Sequence, residues 1–298
     1  MEPLTARYKD TILRMLTHSK SGKKVSLDNV YQEGNKHILP FIDSMVAENL
    51  EPGSGIRSFE NIQKLAALAL EGSKCLLLVE HYSNFDLPAL SYLLRKMGPE
   101  GERIAESVVA IAGIKLSETN PVVTAFTEAY SRLVIYPSRS IDDIRASIAD
   151  PLKRAAETMK ANAINLASMK ELARIRIEGK LILVFPAGTR FRSWDPSSKK
   201  GVREIDSYIR AFDYMSLVSI NGNILRCNPE GEMLEDILCR DQVIFSIGEP
   251  RNCDDFRHAI RSTMASSEDK KQTVVDAVMA ELESMHEAVE LTLTSQSS

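Results

Sequence analysis

Residues 75–86 read CLLLVEHYSNFD, an uninterrupted apolar run followed by a polar turn that contains one histidine and one aspartate. The run Cys75–Val79 is typical of a strand that is buried on both faces of a sheet. The stretch Asp86–Met97 has a helical pattern. A buried strand that leads through a turn into a helix indicates an α/β sheet, and it places His81 beyond the carboxyl end of the strand.

The chain after Gly72 repeats this alternation of strand and helix. Apolar runs predict further strands at Val108–Gly113, Leu133–Tyr136, Leu181–Phe185, Met215–Ile220 and Val243–Ile247. Helices are predicted near Asn120–Ser131, Ser140–Glu178 and Glu230–Leu238, and Pro151 favours a break early in the second of these. We therefore expect an α/β fold whose mixed, largely buried β-sheet is covered by helices on both faces.

Both ends of the chain are predicted to be helical. Helical patterns cover residues 3–17 and Asp28–Asn49, so we expect a helical N-terminal segment at 1–50 that packs on an α/β domain at 51–298. A last helix, from Asp269 to about Leu293, carries an apolar stripe made of Val275, Val278, Leu282, Met285 and Val289. Such a stripe usually packs on the domain, and contact with a membrane surface or a partner helix is the alternative.

The composition is that of an ordinary globular protein. Of the 298 residues 44% are hydrophobic, and the net charge of −4 argues against broad nucleic-acid binding, which requires a basic surface. The cysteines form no C-x-x-C pair, and we expect neither a metal site nor a cofactor. No run approaches the roughly 20 apolar residues of a membrane span. We expect a soluble protein of the cytoplasm, or of a compartment like the plastid stroma, that is able to contact a membrane peripherally.

The histidine and aspartate of the opening stretch are candidates for catalysis. If a helix begins near Asp86, its carboxylate can reach back to the His81 imidazole and fix the tautomer. The second ring nitrogen is then free to accept a proton, and the carboxylate stabilises the imidazolium that forms. Two other interpretations are open at this point: a helix cap beside a turn histidine, and a metal site in a hydrolase.

A second polar loop follows the predicted strand Leu181–Phe185. Residues 185–192 read FPAGTRFR. Pro186, Gly188 and Thr189 shape a tight loop in which the backbone can approach a ligand closely.

Three arginines follow predicted strands and are suited to binding phosphate. Arg190 and Arg192 lie in the FPAGTRFR loop, and Arg139 follows the strand predicted at Leu133–Tyr136. A guanidinium group offers forked donors that match a phosphate group. The alternative for each of them is a solvated arginine on a surface turn.

Taken together, these motifs resemble the glycerolipid acyltransferases. That family has H-x4-D after one strand, a basic residue after a second and FPxGTR after a third. The similarity is greatest to the soluble, plastid-type glycerol-3-phosphate 1-O-acyltransferases, whose D-P-S stretch resembles the sequence WDPSS at 194–198. The resemblance extends over roughly residues 34–248.

The resemblance implies transfer of a fatty acyl group from a thioester of acyl carrier protein or coenzyme A to the sn-1 hydroxyl of glycerol 3-phosphate. This reaction gives lysophosphatidate and begins glycerolipid synthesis. His81 would be the general base and Asp86 its orienting partner, while the three arginines would bind the phosphate. Lys199, Lys200 and Arg203 are candidates for docking an acidic carrier protein.

The sequence departs from the family pattern at three positions. Arg139 stands where the plastid-type enzymes have a lysine, and Glu80 stands where the family usually has an asparagine. Ala187 replaces the glutamate of the membrane-bound lysophosphatidate branch, a glutamate that the plastid-type branch also lacks. The N-terminal part is also shorter than in the plastid enzymes. The alternatives are therefore a 1-acylglycerol-3-phosphate acyltransferase and a non-catalytic phospho-ligand-binding protein on the same scaffold.

Overall fold

The computed structural model of the protein describes residues 2–20, 24–118, 120–231, 233–263 and 269–296. In chain order the strands are β1 (Glu2–Pro3), β2 (Tyr31–Gln32), β3 (Gly55–Arg57), β4 (Cys75–Val79), β5 (Val108–Gly113), β6 (Arg132–Ile135), β7 (Leu181–Val184), β8 (Tyr214–Asn221), β9 (Leu225–Arg226), β10 (Ile237–Leu238), β11 (Ile244–Ile247) and β12 (Arg251–Asn252). The helices are α1 (Leu4–Arg7), α2 (Lys9–Leu16), α3 (Leu39–Asn49), α4 (Phe59–Leu70), α5 (Asp86–Lys96), α6 (Pro99–Ser107), α7 (Lys115–Glu118), α8 (Pro121–Glu128), α9 (Ser138–Ser147), α10 (Pro151–Ile175), α11 (Ile205–Ala211), α12 (Cys253–Ser262) and α13 (Lys270–Gln296).

A mixed sheet forms the centre of the protein. Within the described residues it has nine strands, which follow the path β2-β6-β5-β7-β4-β8-β11-β3, with β12 paired to the start of β8. The strands β6, β5, β7, β4 and β8 are parallel to one another. The outer strands β2 and β11 are antiparallel to their inner neighbours. The predicted α/β class with a mixed sheet is confirmed.

The central strands are buried on both faces, which explains their continuous apolar sequence. Two hydrophobic cores, called the first and the second core, lie on the two faces of the sheet. On β4, Leu77 and Val79 belong to the first core, and Leu76 and Leu78 belong to the second. Successive strand side chains point to opposite faces, so a strand covered on both sides needs an apolar residue at every position. Of the strands predicted from apolar runs, β4 and β5 have the predicted bounds, and the others differ by one residue at one or both ends.

A small antiparallel sheet lies beside the main one, and it corrects one prediction. The helix predicted at Glu230–Leu238 is wrong: a short 3-10 turn at Met233–Glu235 leads into β10, which pairs with β9 and β1. The Asp236 carbonyl also accepts a hydrogen bond of 3.0 Å from the Leu4 amide. Pairing with the distant N-terminus therefore overrides the local helical pattern.

The N-terminal residues are less helical than predicted. In place of one helix over Asp28–Asn49 there is the edge strand β2, a turn and the helix α3. Gly34 lies in that turn, where an added Cβ would come within 2.8 Å of the Ala129 carbonyl oxygen. Side chains of α1, α2 and α3 belong to the first core together with those of the main sheet. The division of the chain at residue 50 stays a prediction.

The long helical stretch after β6 is divided as Pro151 indicates. The helix α9 ends at Ser147, and α10 begins at Pro151, with the Asp150 carboxylate accepting hydrogen bonds from the amides of Leu152 and Lys153. Proline lacks an amide hydrogen and fits the first turn of a helix, so the break falls at its amino side.

The C-terminal helix packs on the domain, as predicted from its apolar stripe. Val275, Val278, Leu282 and Val289 of α13 are buried, and the first three belong to the second core. Among the described residues, no helix is both long and apolar enough to cross a membrane. The parallel strands β4, β7 and β6 end at the same edge of the sheet, which is where open α/β sheets bind ligands.

Candidate active site

His81 and Asp86 form a hydrogen-bonded pair at the carboxyl end of β4. The distance from His81 Nδ1 to Asp86 Oδ2 is 2.8 Å, and the two side chains are 16% and 5% exposed. Asp86 is the first residue of α5, so the helix start places its carboxylate opposite the imidazole. The carboxylate accepts the Nδ1 proton, and Nε2 is left as the acceptor nitrogen of the ring.

Local hydrogen bonds hold the Asp86 carboxylate in place. Its Oδ2 accepts from the amides of Tyr82 and Ser83, at 2.6 and 2.9 Å, and its Oδ1 accepts from the Ser83 hydroxyl at 3.0 Å. Ser83 Oγ in turn accepts the Phe85 amide at 2.9 Å. These hydrogen bonds hold the carboxylate in one orientation, so the turn provides a rigid partner for the histidine.

The FPAGTRFR loop lies directly against His81. The ring of Phe185 stacks on the imidazole with a centroid distance of 3.9 Å and an interplanar angle of 14°. The Phe191 amide donates to the His81 carbonyl at 2.7 Å. Gly188 has a φ of +65°, in the left-handed region that favours glycine, and the Val202 amide donates to the Pro186 carbonyl. Stacking and backbone bonds therefore fix the ring orientation that the sequence left open.

The three candidate arginines have different surroundings. Arg190 is 13% exposed, and its Nη1 donates to the buried Asp236 carboxylate. Burial raises the pKa of Asp236, and Arg190 partly counteracts this effect. Among the described residues, neither Arg192 nor Arg139 has an ion-pair partner, and Arg139 is exposed at the start of α9. Arg139 ends up at the same sheet edge, but no described contact joins it to the other two.

Glu80 does not interact with His81. Within the described part of the chain, its carboxylate accepts the Tyr82 hydroxyl at 3.0 Å and the Ile220 amide at 2.8 Å, and it lies 3.3 Å from His286 Nδ1. The hydrogen bond with Glu80 raises the pKa of His286, against the opposite effect of burial. Glu80 therefore connects β4 to α13 behind the turn from His81 to Asp86.

An apolar cavity of about 140 Å³ begins at His81 and Phe185 and extends along the first-core face of the sheet. Its lining is mainly aliphatic and aromatic, and it includes Leu87, Ala110, Ile111, Ala112, Val123 and Phe126. Ala110 and Ala112 of β5 line this cavity, and their small side chains leave room between the sheet and α8. A histidine–carboxylate pair at the mouth of an apolar cavity suits the activation of a hydroxyl group beside a long apolar substrate.

Comparison with known families agrees with this geometry. The acyltransferase family model matches residues 56–218, more than half of the chain, including both polar loops. The chain belongs to the acyltransferase family. No curated protein matches it. Membership of the acyltransferase family supports an enzyme of the glycerolipid acyltransferase type, with acyl transfer in lipid synthesis as its general activity.

Other groups near this acyltransferase site are less suited to chemistry. Cys227 Sγ contacts the carbonyls of Tyr82 and Phe191, and burial raises the pKa of its thiol, which keeps it protonated and a poor nucleophile. Of the candidate carrier-docking residues, Lys199 pairs with Glu283 and Arg203 pairs with Asp269. Among the described residues, no group of three or more His, Cys, Asp or Glu is arranged to hold a metal ion.

Sequence reasoning missed several residues of the site. The sequence indicates Phe185 only as the end of a strand and the first residue of the FPAGTRFR loop, and it gives no sign that the ring stacks on His81. Ser83 lies inside the H-x4-D motif, and a serine between two such residues is a signal for a local turn. No local signal indicates His286, which lies 206 residues from Glu80 in the chain.

Proposed function

We propose that the protein is a glycerol-3-phosphate 1-O-acyltransferase. It transfers a fatty acyl group from an acyl thioester, carried by acyl carrier protein or coenzyme A, to the sn-1 hydroxyl of glycerol 3-phosphate. The observation that carries the proposal is the bond of 2.8 Å between His81 Nδ1 and Asp86 Oδ2 at the mouth of the apolar cavity. The arginines of the neighbouring loop and the match to the acyltransferase family support it.

The proposed reaction needs no covalent acyl-enzyme. His81 Nε2 takes the proton of the acceptor hydroxyl while that oxygen forms a bond to the thioester carbonyl carbon. Asp86 stabilises the resulting imidazolium. When the tetrahedral intermediate collapses, the C–S bond breaks, and the imidazolium returns its proton to the leaving thiolate. The products are lysophosphatidate and a free thiol, and His81 is neutral again.

Arg192 is the arginine best placed to bind the phosphate. Within the described residues it has no ion-pair partner, and its neighbour Phe191 is bonded to the His81 backbone. Arg190 contributes less to this role because Asp236 already occupies part of its guanidinium group. Arg139 would act from the end of β6. Positioning the acceptor through its phosphate converts the encounter with the thioester into an oriented reaction.

A product assay by mass spectrometry tests the proposal. Purified protein is mixed with glycerol 3-phosphate and a long-chain acyl thioester, supplied separately on coenzyme A and on acyl carrier protein. Formation of lysophosphatidate by the wild type, at a rate that falls by several orders of magnitude in His81→Ala, would support the proposal. The thioester that gives the product would identify the donor. Phosphatidate made only from added lysophosphatidate would assign the second acylation instead. Binding of glycerol 3-phosphate without turnover would favour a binding protein.

Substitutions of arginine separate acceptor binding from chemistry. Arg192→Ala should raise the KM for glycerol 3-phosphate about 10-fold or more, with a smaller change in kcat, because it removes a charged donor to the phosphate. Arg145→Ala is the matched control, because Arg145 is an exposed arginine that is paired with Asp142 within α9. Equal KM values for both variants would remove Arg192 from the acceptor site.

We also propose that α10 contacts an anionic membrane surface. Leu152, Met159, Leu166 and Met169 are 82%, 72%, 59% and 63% exposed, although the opposite side of α10 packs in the second core. The first three recur every seven residues and so share one side of the helix. Lys153, Lys160 and Lys170 flank them and would attract anionic headgroups. The compartment expected from the sequence stays a prediction.

Vesicle sedimentation tests this contact. The variant Leu152→Ser/Met159→Ser should lose about 10-fold or more of the binding to vesicles that contain anionic lipid, since two exposed apolar side chains leave the contact. Activity on glycerol 3-phosphate should be kept. Leu70→Ser is the control, because Leu70 is 80% exposed on α4. Unchanged binding of the double variant would exclude α10 as the membrane-facing surface.

A further inference from the structure

Arg132 is a buried cation that lines the apolar cavity at its side remote from His81. The residue is 4% exposed, and its Nη1 donates to the Thr127 carbonyl at 2.5 Å. Its Nε has no hydrogen-bond partner, and no described carboxylate forms an ion pair with it. The acidic group whose charge reaches it is Glu128, and that carboxylate already accepts bonds from Ser19 and Lys20.

Arg132 keeps its charge in spite of this burial. Burial lowers the pKa of Arg132 to about 10, which still leaves the guanidinium protonated at neutral pH. Burying a charge that lacks a counter-ion is unfavourable unless a ligand or a hydrogen-bond partner compensates. A cavity wall that is mainly apolar thus contains a cation whose buried Nε has no hydrogen-bond partner among the described residues.

The strand register gives the position of Arg132 relative to His81. Arg132 is aligned with Ala110 on β5, Ala110 with Leu183 on β7, and Leu183 with Leu77 on β4. These four residues therefore share one face of the sheet, the face of the first core. From Leu77 to His81 the chain advances four residues, and from β4 to β6 there are three strand spacings, which together separate the two backbones by about 20 Å.

We propose that the cavity binds an acyl chain whose far end carries a hydrogen-bond acceptor, with a carboxylate as the best match, and that Arg132 binds this end. The inference rests on the proposed function for the other end of the chain, where the thioester carbonyl meets His81. Ala110 and Ala112 give the intervening methylene groups their space. The preferred donor substrate is then a thioester of a long dicarboxylic acid rather than of a plain fatty acid.

The arrangement distinguishes Arg132 from an arginine that only supports the fold. Arg176 also donates its Nη1 to a backbone carbonyl, that of Ala211 at 2.7 Å, and its Nε also lacks a partner. It follows α10 and does not line the cavity. A purely structural role would make the two arginines equivalent in their effect on substrate choice, whereas the proposed role applies to Arg132 alone.

A panel of paired thioesters tests the proposal. Each pair has the same chain length and ends either in a methyl group or in a carboxylate, and the lengths bracket an extended chain of about 20 Å. For the wild type, kcat/KM for the carboxylate-ended thioester should be divided by kcat/KM for the methyl-ended thioester of the same length. This ratio should be highest at one chain length. Arg132→Met should lower that ratio about 10-fold to 100-fold, as expected for a lost bond to a charged group. Arg132→Lys should keep part of the preference, and Arg176→Met should keep all of it.

Binding of free acids provides a readout that needs no turnover. Titration calorimetry compares a monocarboxylic acid with the dicarboxylic acid of the same length, on wild type and on Arg132→Met. The diacid should bind more tightly only to the wild type. If no thioester reacts, the proposed acyl transfer fails while this titration still tests the chain-end site. A wild type that prefers methyl ends at every length, or a ratio unchanged in Arg132→Met, overturns the proposal.

Discussion

At the scale of single residues, the site depends on how one short turn holds one carboxylate. Asp86 binds the imidazole of His81 and three donors from Tyr82 and Ser83 at the same time. The turn could not close in this way around a longer acidic side chain without moving the start of α5. Because every partner lies within five residues of Asp86, the geometry is local.

Replacing Asp86 by asparagine should separate charge from shape. Asp86→Asn keeps the size of the side chain but removes the charge that selects the tautomer and stabilises the imidazolium, so kcat should fall by about three orders of magnitude or more. Steady-state kinetics with glycerol 3-phosphate and an acyl thioester measure this fall. Asp195→Asn is the control, because Asp195 caps the next turn and bonds to Ser197. A variant within 10-fold of wild type, a threshold of about 1.4 kcal/mol, contradicts the assigned role.

Gly188 should be sensitive to any side chain. Its φ of +65° is unfavourable for residues with a Cβ, and an added Cβ would lie 3.3 Å from Val202 Cγ1. Gly188→Ala should therefore lower the free energy of unfolding by about 1–2 kcal/mol, as measured in denaturant. Gly55→Ala is the control, because no atom lies within 4 Å of the added methyl group and its φ is not positive. An equal effect of both substitutions would exclude backbone strain as the cause.

At the scale of elements, α13 does more than cover the second core. Its His286 lies 3.3 Å from Glu80 Oε2 at the end of β4, and 3.3 Å from the Tyr82 hydroxyl oxygen. Burial raises the pKa of Tyr82, so its hydroxyl keeps its proton and donates to Glu80. The Tyr82 amide meanwhile donates to Asp86. Tyr82 thus connects the turn from His81 to Asp86 with the C-terminal helix.

The contribution of His286 to stability should depend on pH. The pKa of His286 is raised above its ordinary value of 6.5 in the folded protein, mainly by the bond with Glu80. A raised pKa means that protonated His286 stabilises the fold fully below pH 6.5, and that this contribution is lost as the pH rises through the folded pKa. The difference in unfolding free energy between wild type and His286→Gln should therefore shrink from acidic to alkaline pH.

Denaturant unfolding at several pH values measures that difference. The groups that face His286 are Glu80 and Tyr82 from the β4 loop and Glu290 from α13 itself, and the charge of Lys199 also reaches it. His258→Gln is the control for the loss of a histidine, because His258 is exposed on α12. A wild-type advantage that stays constant or grows with pH would show that the pair with Glu80 does not stabilise the fold.

At the scale of the whole molecule, an ion pair joins the small sheet to the FPAGTRFR loop. Arg190 of the FPAGTRFR loop is 13% exposed, and its partner Asp236, directly before β10, is 2% exposed. Asp236 also accepts the Asn228 amide at 3.3 Å. The pair spans 46 residues of sequence and connects the loop after β7 to the small sheet.

Breaking this pair on one side should destabilise the protein more than removing both members. Asp236→Leu leaves Arg190 buried without a counter-ion, and should lower the free energy of unfolding by about 3–5 kcal/mol. The double variant Arg190→Met/Asp236→Leu should recover most of that loss, because no unpaired charge remains. A double-mutant cycle in denaturant measures the coupling. Strictly additive losses would show that the two side chains do not interact.

Local sequence alone predicts six strands of the main sheet, the edge at which its parallel strands end and the turn from His81 to Asp86. Continuous apolar runs indicate burial on both faces of a sheet, and the bounds of β4 and β5 are predicted correctly from them. His81 and Asp86 lie five residues apart in one turn, and their contact follows from where α5 begins. Two predictions failed, the helices at Glu230–Leu238 and over the first half of Asp28–Asn49, because both segments pair as strands with distant residues.

Which charged side chains have an ion-pair partner depends on tertiary contacts. Nothing near Arg190 in the sequence indicates Asp236, and nothing near Glu80 indicates His286, because these partners meet only when separate elements pack together. The same is true of Arg132, which directly precedes the strand predicted at Leu133–Tyr136 and which the fold places in the wall of the cavity. Local patterns report burial and turn geometry, whereas the pairing of charges depends on contacts between residues far apart in the chain.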